Sequence, residues 1–314
     1  MHNEGPLGLA LRVAAALALL AGPLHAQTVD DALMLAKREL LTGNIYAHDT
    51  WDTYWEGTLK RQNGNIGEIT TSTNVWYANY GLTDRLNVLG TVPYVWTKAS
   101  QGVLHGSQGF QDVALSAKYR VFEASRSGVG TLRGFAVGSA GVPMTNYNNE
   151  LLPLSIGTRS KQVSARGTLN YQSEPGWFVN GTAAYNWRAD AQLDRPYFYT
   201  NDEFVMSDTV DMPNTTDYMM SGGMMTRRLM VAGFYSQMVT LGGGDIRRQD
   251  MPFLSNRMNT SRAGAMGMVP MPFHPSLQVQ FAFARTLTGR NVGQSTTMTL
   301  GLLYRFNRRV TTTS

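Results

Sequence analysis

The 314-residue chain contains no cysteine, and only 16% of its residues are charged. Without thiols it forms neither disulfides nor cysteine-based zinc sites, and it has no cysteine nucleophile. The charged fraction lies well below the roughly 25% of ordinary globular proteins. Long apolar runs are missing beyond the N-terminus, which excludes a bundle of membrane-spanning helices. A hydrophobic content of 43% is also too high for a disordered chain.

The one long apolar stretch lies near the start of the chain. Arg12 precedes it, Gly22 and Pro23 end it, and the small residue Ala26 follows. This order is typical of a secretory signal peptide, so we expect residues 1–26 to be removed and the mature protein to act outside the cytoplasm. The formal net charge is +5, but no basic run is interleaved with aromatic residues, so no nucleic acid partner is expected.

Beyond residue 51, apolar residues alternate with polar or small ones over stretches of about ten residues, the length of a tilted membrane strand. In the last stretch, one face carries Met298, Leu300, Leu302, Tyr304 and Phe306. We predict twelve strands, at residues 51–62, 67–81, 85–98, 110–122, 130–142, 162–172, 176–188, 216–227, 229–241, 258–269, 276–287 and 294–306.

The predicted connections alternate between short turns and mostly long loops, of which residues 143–161 and 189–215 are the longest. This alternation is typical of outer-membrane barrels, whose short turns lie in the periplasm. In hydrocarbon every backbone polar group must be paired, so the sheet has to close on itself. The predicted fold class is therefore all-β: a transmembrane antiparallel up-and-down β-barrel of about twelve strands over residues 51–306, in the bacterial outer membrane. Residues 307–314 would form a C-terminal tail, and a secreted soluble all-β protein is the alternative.

Residues 27–50 are predicted to form a periplasmic segment with a short helix over residues 28–40. Asp30 and Asp31 lie at the end where the helix dipole is positive, and Lys37 and Arg38 lie near the other end. Such a helix would either lead into the first strand or act as a gate or partial plug at the inner mouth of the barrel.

Two segments carry a family resemblance. They are YGLTDRLNVLGTVPYV at residues 80–95 and GFQDVALSAKYRVFE at residues 109–123. Their GLTD turn, PYV strand end and KYR strand resemble the outer-membrane family named after the MetA pathway of phenol degradation. The closing GQSTTMTLGLLYRF is similar to barrel ends in general. The resemblance implies a Gram-negative outer-membrane barrel that acts as a transporter, for a solute that the family does not define.

Catalysis would need a histidine beside a nucleophile or a carboxylate. The predicted mature chain keeps His48, His105 and His274, and only His105 lies near a serine, Ser107, in a glycine-rich loop. We therefore predict no enzyme activity, no catalytic residue, no cofactor and no metal site. The alternatives are an outer-membrane lipid hydrolase and a structural or adhesion barrel with a filled interior.

Methionine is abundant, at 17 residues. Thioethers suit Cu(I), but adjacent methionines on a strand point to opposite faces, which favours plain apolar packing. The acidic residues of 189–215 lack the spacing of a calcium loop, which favours a solvated outer loop over a contact with a cation or with lipopolysaccharide.

Arg285 falls on the apolar face of its predicted strand, which predicts either a snorkelling side chain or a β-bulge that shifts the register.

The predicted inner face of the barrel is basic. Rings of arginine and lysine in a pore favour anions, and a barrel of twelve strands leaves a narrow passage. We predict a monomeric, porin-like transporter or narrow channel for passive passage of small solutes, anionic or aromatic ones included, surrounded by outer-membrane lipids and lipopolysaccharide. The predicted pore-lining residues are Lys118, Arg120, Arg166, Arg188, Arg262 and Arg305.

Overall fold

The computed structural model describes residues 28–200, 203–226, 228–247 and 253–306, so the predicted signal peptide and the tail at 307–314 lie outside it. The described chain forms an antiparallel sheet that closes into a barrel, because the first strand pairs with both the second and the last. The strands are β1 (Leu40–Trp51), β2 (Ile69–Thr83), β3 (Leu86–Ala99), β4 (Asp112–Arg126), β5 (Gly130–Pro143), β6 (Gln162–Ser173), β7 (Trp177–Arg188), β8 (Thr215–Met225), β9 (Met230–Thr240), β10 (Asn259–Met271), β11 (His274–Arg290) and β12 (Thr296–Phe306). The predicted all-β barrel is confirmed.

Closure of the barrel satisfies the backbone, because neighbouring strands exchange hydrogen bonds all the way round and leave no open edge. Side chains then alternate between the two faces. On β12, Leu300 points outward and is 59% exposed, whereas Leu303 points inward and is 2% exposed. Among the described residues, no helix has the length and apolarity to cross a membrane.

Short turns and long loops lie at opposite ends of the barrel, as predicted. The turns are residues 84–85, 127–129, 174–176, 226–229 and 272–273. The outer loops 1 to 6 are residues 52–68, 100–111, 144–161, 189–214, 241–258 and 291–295. In outer-membrane barrels the short turns face the periplasm, so β1 begins and β12 ends on the periplasmic side.

The first predicted strand, at residues 51–62, is wrong. The barrel begins at Leu40 rather than at residue 51, and Thr53–Glu56 and Leu59–Gln62 form a small hairpin within outer loop 1. The physical reason is that β1 reverses the usual alternation, with apolar Leu41 and Ile45 facing the interior. Its outward side chains are mostly polar, and they include Thr42, Asn44, His48 and Thr50.

The predicted helix over residues 28–40 is also wrong. Residues 28–39 form an irregular segment, and the Asp31 carboxylate accepts a hydrogen bond from the backbone N–H of Leu33 at 2.9 Å. An isolated helix of this length is marginal in water. Contacts with the barrel wall therefore decide the conformation of this segment.

Arg285 lies on the outer face of β11 and is exposed, as the alternation predicts. The register between β10 and β11 shifts close by, between Ser261 and Arg262. The shift leaves Arg285 pointing outward, where the length of an arginine side chain allows its charge to reach water at the membrane surface.

Leu300 offers a test of the lipid-facing side. Leu300→Arg should destabilise the barrel in lipid vesicles by about 2–4 kcal/mol, because a cation near the bilayer midplane loses hydration. The matched control is Thr299→Arg, one residue earlier on the inner face, which should have a smaller effect. Urea unfolding followed by tryptophan fluorescence gives the two free energies. Equal losses would contradict the assignment of the faces.

Candidate functional site in the barrel interior

The N-terminal segment crosses the barrel interior, and we call residues 28–39 the plug. Leu33 packs against a hydrophobic cluster on β7, β9 and β10 that contains Phe178. Leu35 is buried in a second cluster, with Tyr77 and other residues of β1, β2, β3 and β12. Because these two groups of strands lie across the barrel from each other, the plug spans the lumen from wall to wall.

Charged contacts hold the first residues of the plug. The Lys118 side chain on β4 is fully buried and donates to the Asp31 carboxylate at 2.7 Å. Arg166 on β6 donates to the Asp30 carboxylate in a short ion pair. Thr182 on β7 donates to the backbone carbonyl of Asp30 at 3.4 Å. A buried ammonium group without a partner would be strongly destabilising, so plug and wall stabilise each other.

The last residues of the plug are tied to the periplasmic rim. Arg305 on β12 donates to the Glu39 carboxylate at 3.2 Å. The backbone N–H of Arg38 donates to the carbonyl of Gly81 at 2.7 Å, and the N–H of Gly81 donates to the carbonyl of Glu39 at 3.0 Å. A Cβ at Gly81 would lie 2.1 Å from the carbonyl oxygen of Ala36. Only glycine therefore allows the plug to approach β2 this closely.

The structure places the six predicted pore-lining cations on the inner face, but most of them contact carboxylates. The pairs are Lys118–Asp31, Arg120–Glu123, Arg166–Asp30, Arg262–Asp49 and Arg305–Glu39. Arg188 differs, because among the described residues no carboxylate lies within salt-bridge distance of its guanidinium group. The wall is therefore largely neutralised while the plug is seated, rather than a ring of free positive charge.

A cavity of about 500 Å³ lies between the plug and the outer loops. Thr28 of the plug lies on its periplasmic side, and Arg166, Arg188 and Asp217 are among its wall residues. The Asp217 carboxylate accepts a hydrogen bond from Asn186 Nδ2 at 2.7 Å. Small-molecule sites commonly measure roughly 300–1,000 Å³, so this cavity can hold a small solute.

Outer loop 3 folds back into the outer mouth of the barrel. The Tyr147 hydroxyl donates to the Asp112 carboxylate on β4 at 2.7 Å. Thr97 Oγ1 on β3 donates to the carbonyl of Leu154 at 2.6 Å, and Ile156 is buried beside Tyr147. The loop therefore narrows the entrance to the cavity. No periodic pattern in the sequence marks this fold.

The described parts of outer loops 4 and 5, residues 189–200, 203–214, 241–247 and 253–258, pack together at the same end. Leu193 and Leu254 share a hydrophobic cluster, and Arg159 of loop 3 binds Asp194 of loop 4 at 2.9 Å. In loop 5, two hydrogen bonds from Arg290 lower the pKa of Asp245 to about 2. Among the described residues, no group of three or more acidic or histidine side chains is placed to hold a metal ion.

One histidine and one serine meet on the outer wall, where the sequence analysis did not pair them. His48 Nδ1 on β1 lies 3.1 Å from Ser72 Oγ on β2, and the Tyr46 hydroxyl donates to the same oxygen at 3.3 Å. Ser72 is 3% exposed, so its hydroxyl is closed to a substrate. His105 is exposed in outer loop 2, with Ser107 two residues further along the strand-like loop. Neither arrangement assembles an accessible nucleophile with an oriented base.

The methionines divide between the two faces of the wall. On β8, Met220 points outward and is 65% exposed, whereas Met219 and Met225 point inward. Met225, Met230 and Met268 lie directly opposite one another on β8, β9 and β10. Met230 and Met268 belong to the hydrophobic cluster against which Leu33 of the plug packs, and Met225 packs against the same cluster. They are apolar packing for the plug in this arrangement.

These features define a twelve-stranded transmembrane barrel that holds its own N-terminal segment. No family model and no curated protein matches the chain. Its structure is similar to the COG4313 outer membrane channel from Pseudomonas putida F1, with a TM-score of 0.70 and 17% identity over 90% of this chain and 100% of that one. The translocator domain of autotransporter NalP from Neisseria meningitidis has a TM-score of 0.44 and 11% identity over 96% of this chain and 95% of that domain. The NanC porin has a TM-score of 0.43 and 7% identity over 84% of this chain and 98% of that one. The likeness to the Pseudomonas channel shows the barrel fold.

Gly81 tests whether the plug depends on its close approach to β2. Gly81→Ala should push the plug from the wall while the barrel stays closed. Hydrogen exchange of residues 28–38 should then rise roughly tenfold, because such a clash costs about 1 kcal/mol or more. The control is Gly90→Ala on β3, where an added Cβ meets nothing within 4 Å. Equal exchange in both variants would show that the plug does not need this contact.

Proposed function

We propose that the protein is a passive channel of the bacterial outer membrane for small solutes, and that the plug limits the flow through it. The observation that carries this proposal is the cavity of about 500 Å³ that the barrel encloses beside the plug. The fold that the chain shares with a solved outer membrane channel supports it. The proposal includes no covalent step, no cofactor and no nucleic acid.

The proposed route runs from the outer loops through the cavity and past the plug to the periplasm. Twelve strands give a barrel between the filled eight-stranded and the wide sixteen-stranded types, so a single segment is enough to obstruct the lumen. Residues 28–39 add no strand to the barrel and are held by side-chain contacts and a few rim hydrogen bonds. Local opening of such a segment requires less free energy than opening of the sheet.

The charge preference of the channel is proposed to depend on the plug. While the plug is seated, Asp30 and Asp31 neutralise Arg166 and Lys118. When it leaves, these two cations face the lumen without those partners, and positive groups in a pore favour anions. A pore-lining role of the cations is part of this proposal, and they are Lys118, Arg120, Arg166, Arg188, Arg262 and Arg305.

Three further parts of the proposal rest on the sequence. The segments at residues 80–95 and 109–123 support membership of the family named after the MetA pathway of phenol degradation. The apolar outer wall supports lipid and lipopolysaccharide as its surroundings. A monomeric state also stays a prediction.

Deletion of the plug tests the channel proposal. The mature chain without residues 28–38 should show a severalfold higher single-channel conductance in planar bilayers, because the lumen is no longer obstructed. The reversal potential in a potassium chloride gradient should shift toward anion selectivity, because two carboxylates leave and Lys118 and Arg166 stay.

The control is Asp30→Asn with Asp31→Asn, which keeps the length of the plug and should give an intermediate conductance. Heat-dependent gel migration reports that each variant has folded. A folded deletion variant that carries no current would rule out the channel. Release of fatty acid from phospholipid vesicles that His105→Ala abolishes would favour the lipid hydrolase instead.

A further inference from the structure

We propose that Lys118 and Arg166 form a binding site for small dicarboxylates, and that Asp30 and Asp31 of the plug occupy this site while the channel is closed. The inference rests on the proposed channel function and names the class of solute for that channel. In this view the plug imitates the solute, and a solute that binds the two cations displaces it.

The two cations lie in one row across the barrel wall. Lys118 on β4 is opposite Val137 on β5, and Val137 is opposite Arg166 on β6. Two strand spacings separate their backbones, a distance of about 9–10 Å. Both side chains converge on consecutive residues of the plug, Asp31 and Asp30. Two inward cations at this spacing suit a molecule whose two carboxylates are separated by a short carbon chain, such as glutarate.

Of the two cations of the site, Arg166 borders the cavity that a solute from the outer mouth would enter. Arg166 and Arg188 both line the cavity of about 500 Å³, and Arg188 lies further toward the outer mouth. The Nε atoms of both arginines are buried without a hydrogen-bond partner within the described ranges. The Asp30 side chain is 40% exposed. A carboxylate in the cavity therefore lies beside two arginine side chains, and the Asp30 carboxylate with which it competes is partly exposed.

Exchange of carboxylates keeps the buried cation paired. Lys118 is 0% exposed and also donates to the carbonyl of Thr28 at 2.9 Å. Departure of the plug removes both acceptors, and a dicarboxylate restores charge-assisted hydrogen bonds to Lys118 and Arg166 together. Chloride binds one cation at a time and cannot bridge the two. A solute that binds only the open state shifts the equilibrium toward that state.

The test is hydrogen exchange of residues 28–39 in the full mature chain, measured by mass spectrometry in lipid nanodiscs. Glutarate at ten times its dissociation constant should make this segment exchange about tenfold faster. Sodium chloride at the same ionic strength and dimethyl glutarate, which lacks the charges, should change the exchange little. Equal acceleration by sodium chloride would overturn the inference, because screening alone would then release the plug.

Variants assign the effect to the two cations. In Lys118→Met and in Arg166→Gln, glutarate should no longer accelerate the hydrogen exchange of residues 28–39. This holds even if the substitution alone changes the exchange rate measured without glutarate. The control is Arg133→Gln, an inward cation on β5 that is bound to Glu123 at 3.1 Å and should keep the response. Asp30→Asn with Asp31→Asn should bind glutarate about tenfold more tightly by calorimetry, because the internal competitor is weaker. An unchanged affinity would overturn the inference.

The experiments distinguish a failure of the dicarboxylate site from a failure of the channel proposal. If the chain without residues 28–38 conducts ions but glutarate neither binds nor changes the exchange of the plug, the dicarboxylate site is wrong and the channel stands. If glutarate displaces the plug but no variant conducts, the site stands as a binding site and the channel is wrong.

Discussion

Backbone hydrogen bonding in the absence of water is the constraint on which the rest of the structure depends. The pairing of β1 with β12 closes the sheet, so every strand of the barrel finds its partners within the wall. Closure fixes the number of strands and with it the width of the lumen. It also fixes the direction of each side chain, since successive residues must face either lipid or the interior. Lys118 and Arg166 point inward for this reason, and their charges have to be satisfied inside a narrow space.

The plug provides the counter-charges for these two cations, from residues that are distant from them in the sequence. Asp31 lies 87 residues before Lys118, and Asp30 lies 136 residues before Arg166. Apolar contacts alone would seat Leu33 and Leu35, but they would leave the lysine of β4 buried without a counter-charge. Packing places the plug in the lumen, and the ion pairs fix which residues face which strand. A segment held in this way has a defined position and yet no part in the sheet.

The alternation of side chains was enough to predict eleven of the twelve strands, because β2 to β12 each overlap the stretches expected from it. It failed at β1, where Asn44 and His48 point toward the lipid side and the apolar residues Leu41 and Ile45 point inward. It failed for the plug too, because the helix pattern of residues 28–40 says nothing of contacts with a wall formed later in the chain. The alternation of side chains along each strand also predicted that the six cations point inward. It could not predict their carboxylate partners or the inward fold of outer loop 3, because these depend on contacts between residues far apart in the sequence.

In the proposed channel, the pairing of cations with a removable segment would make the charge of the lumen depend on whether the plug is seated. With the plug seated, fixed carboxylates oppose the cations of the wall at the level of Lys118 and Arg166. Without it, the same wall would present two positive groups two strands apart, one of which lines the cavity together with Arg188. A permanently open barrel with this wall would have a positive electrostatic potential in its lumen at all times, which would attract any anion. Because the opposing charge belongs to the plug itself, the proposed channel would present this potential only when the plug has left, and opening and charge selectivity would be a single equilibrium.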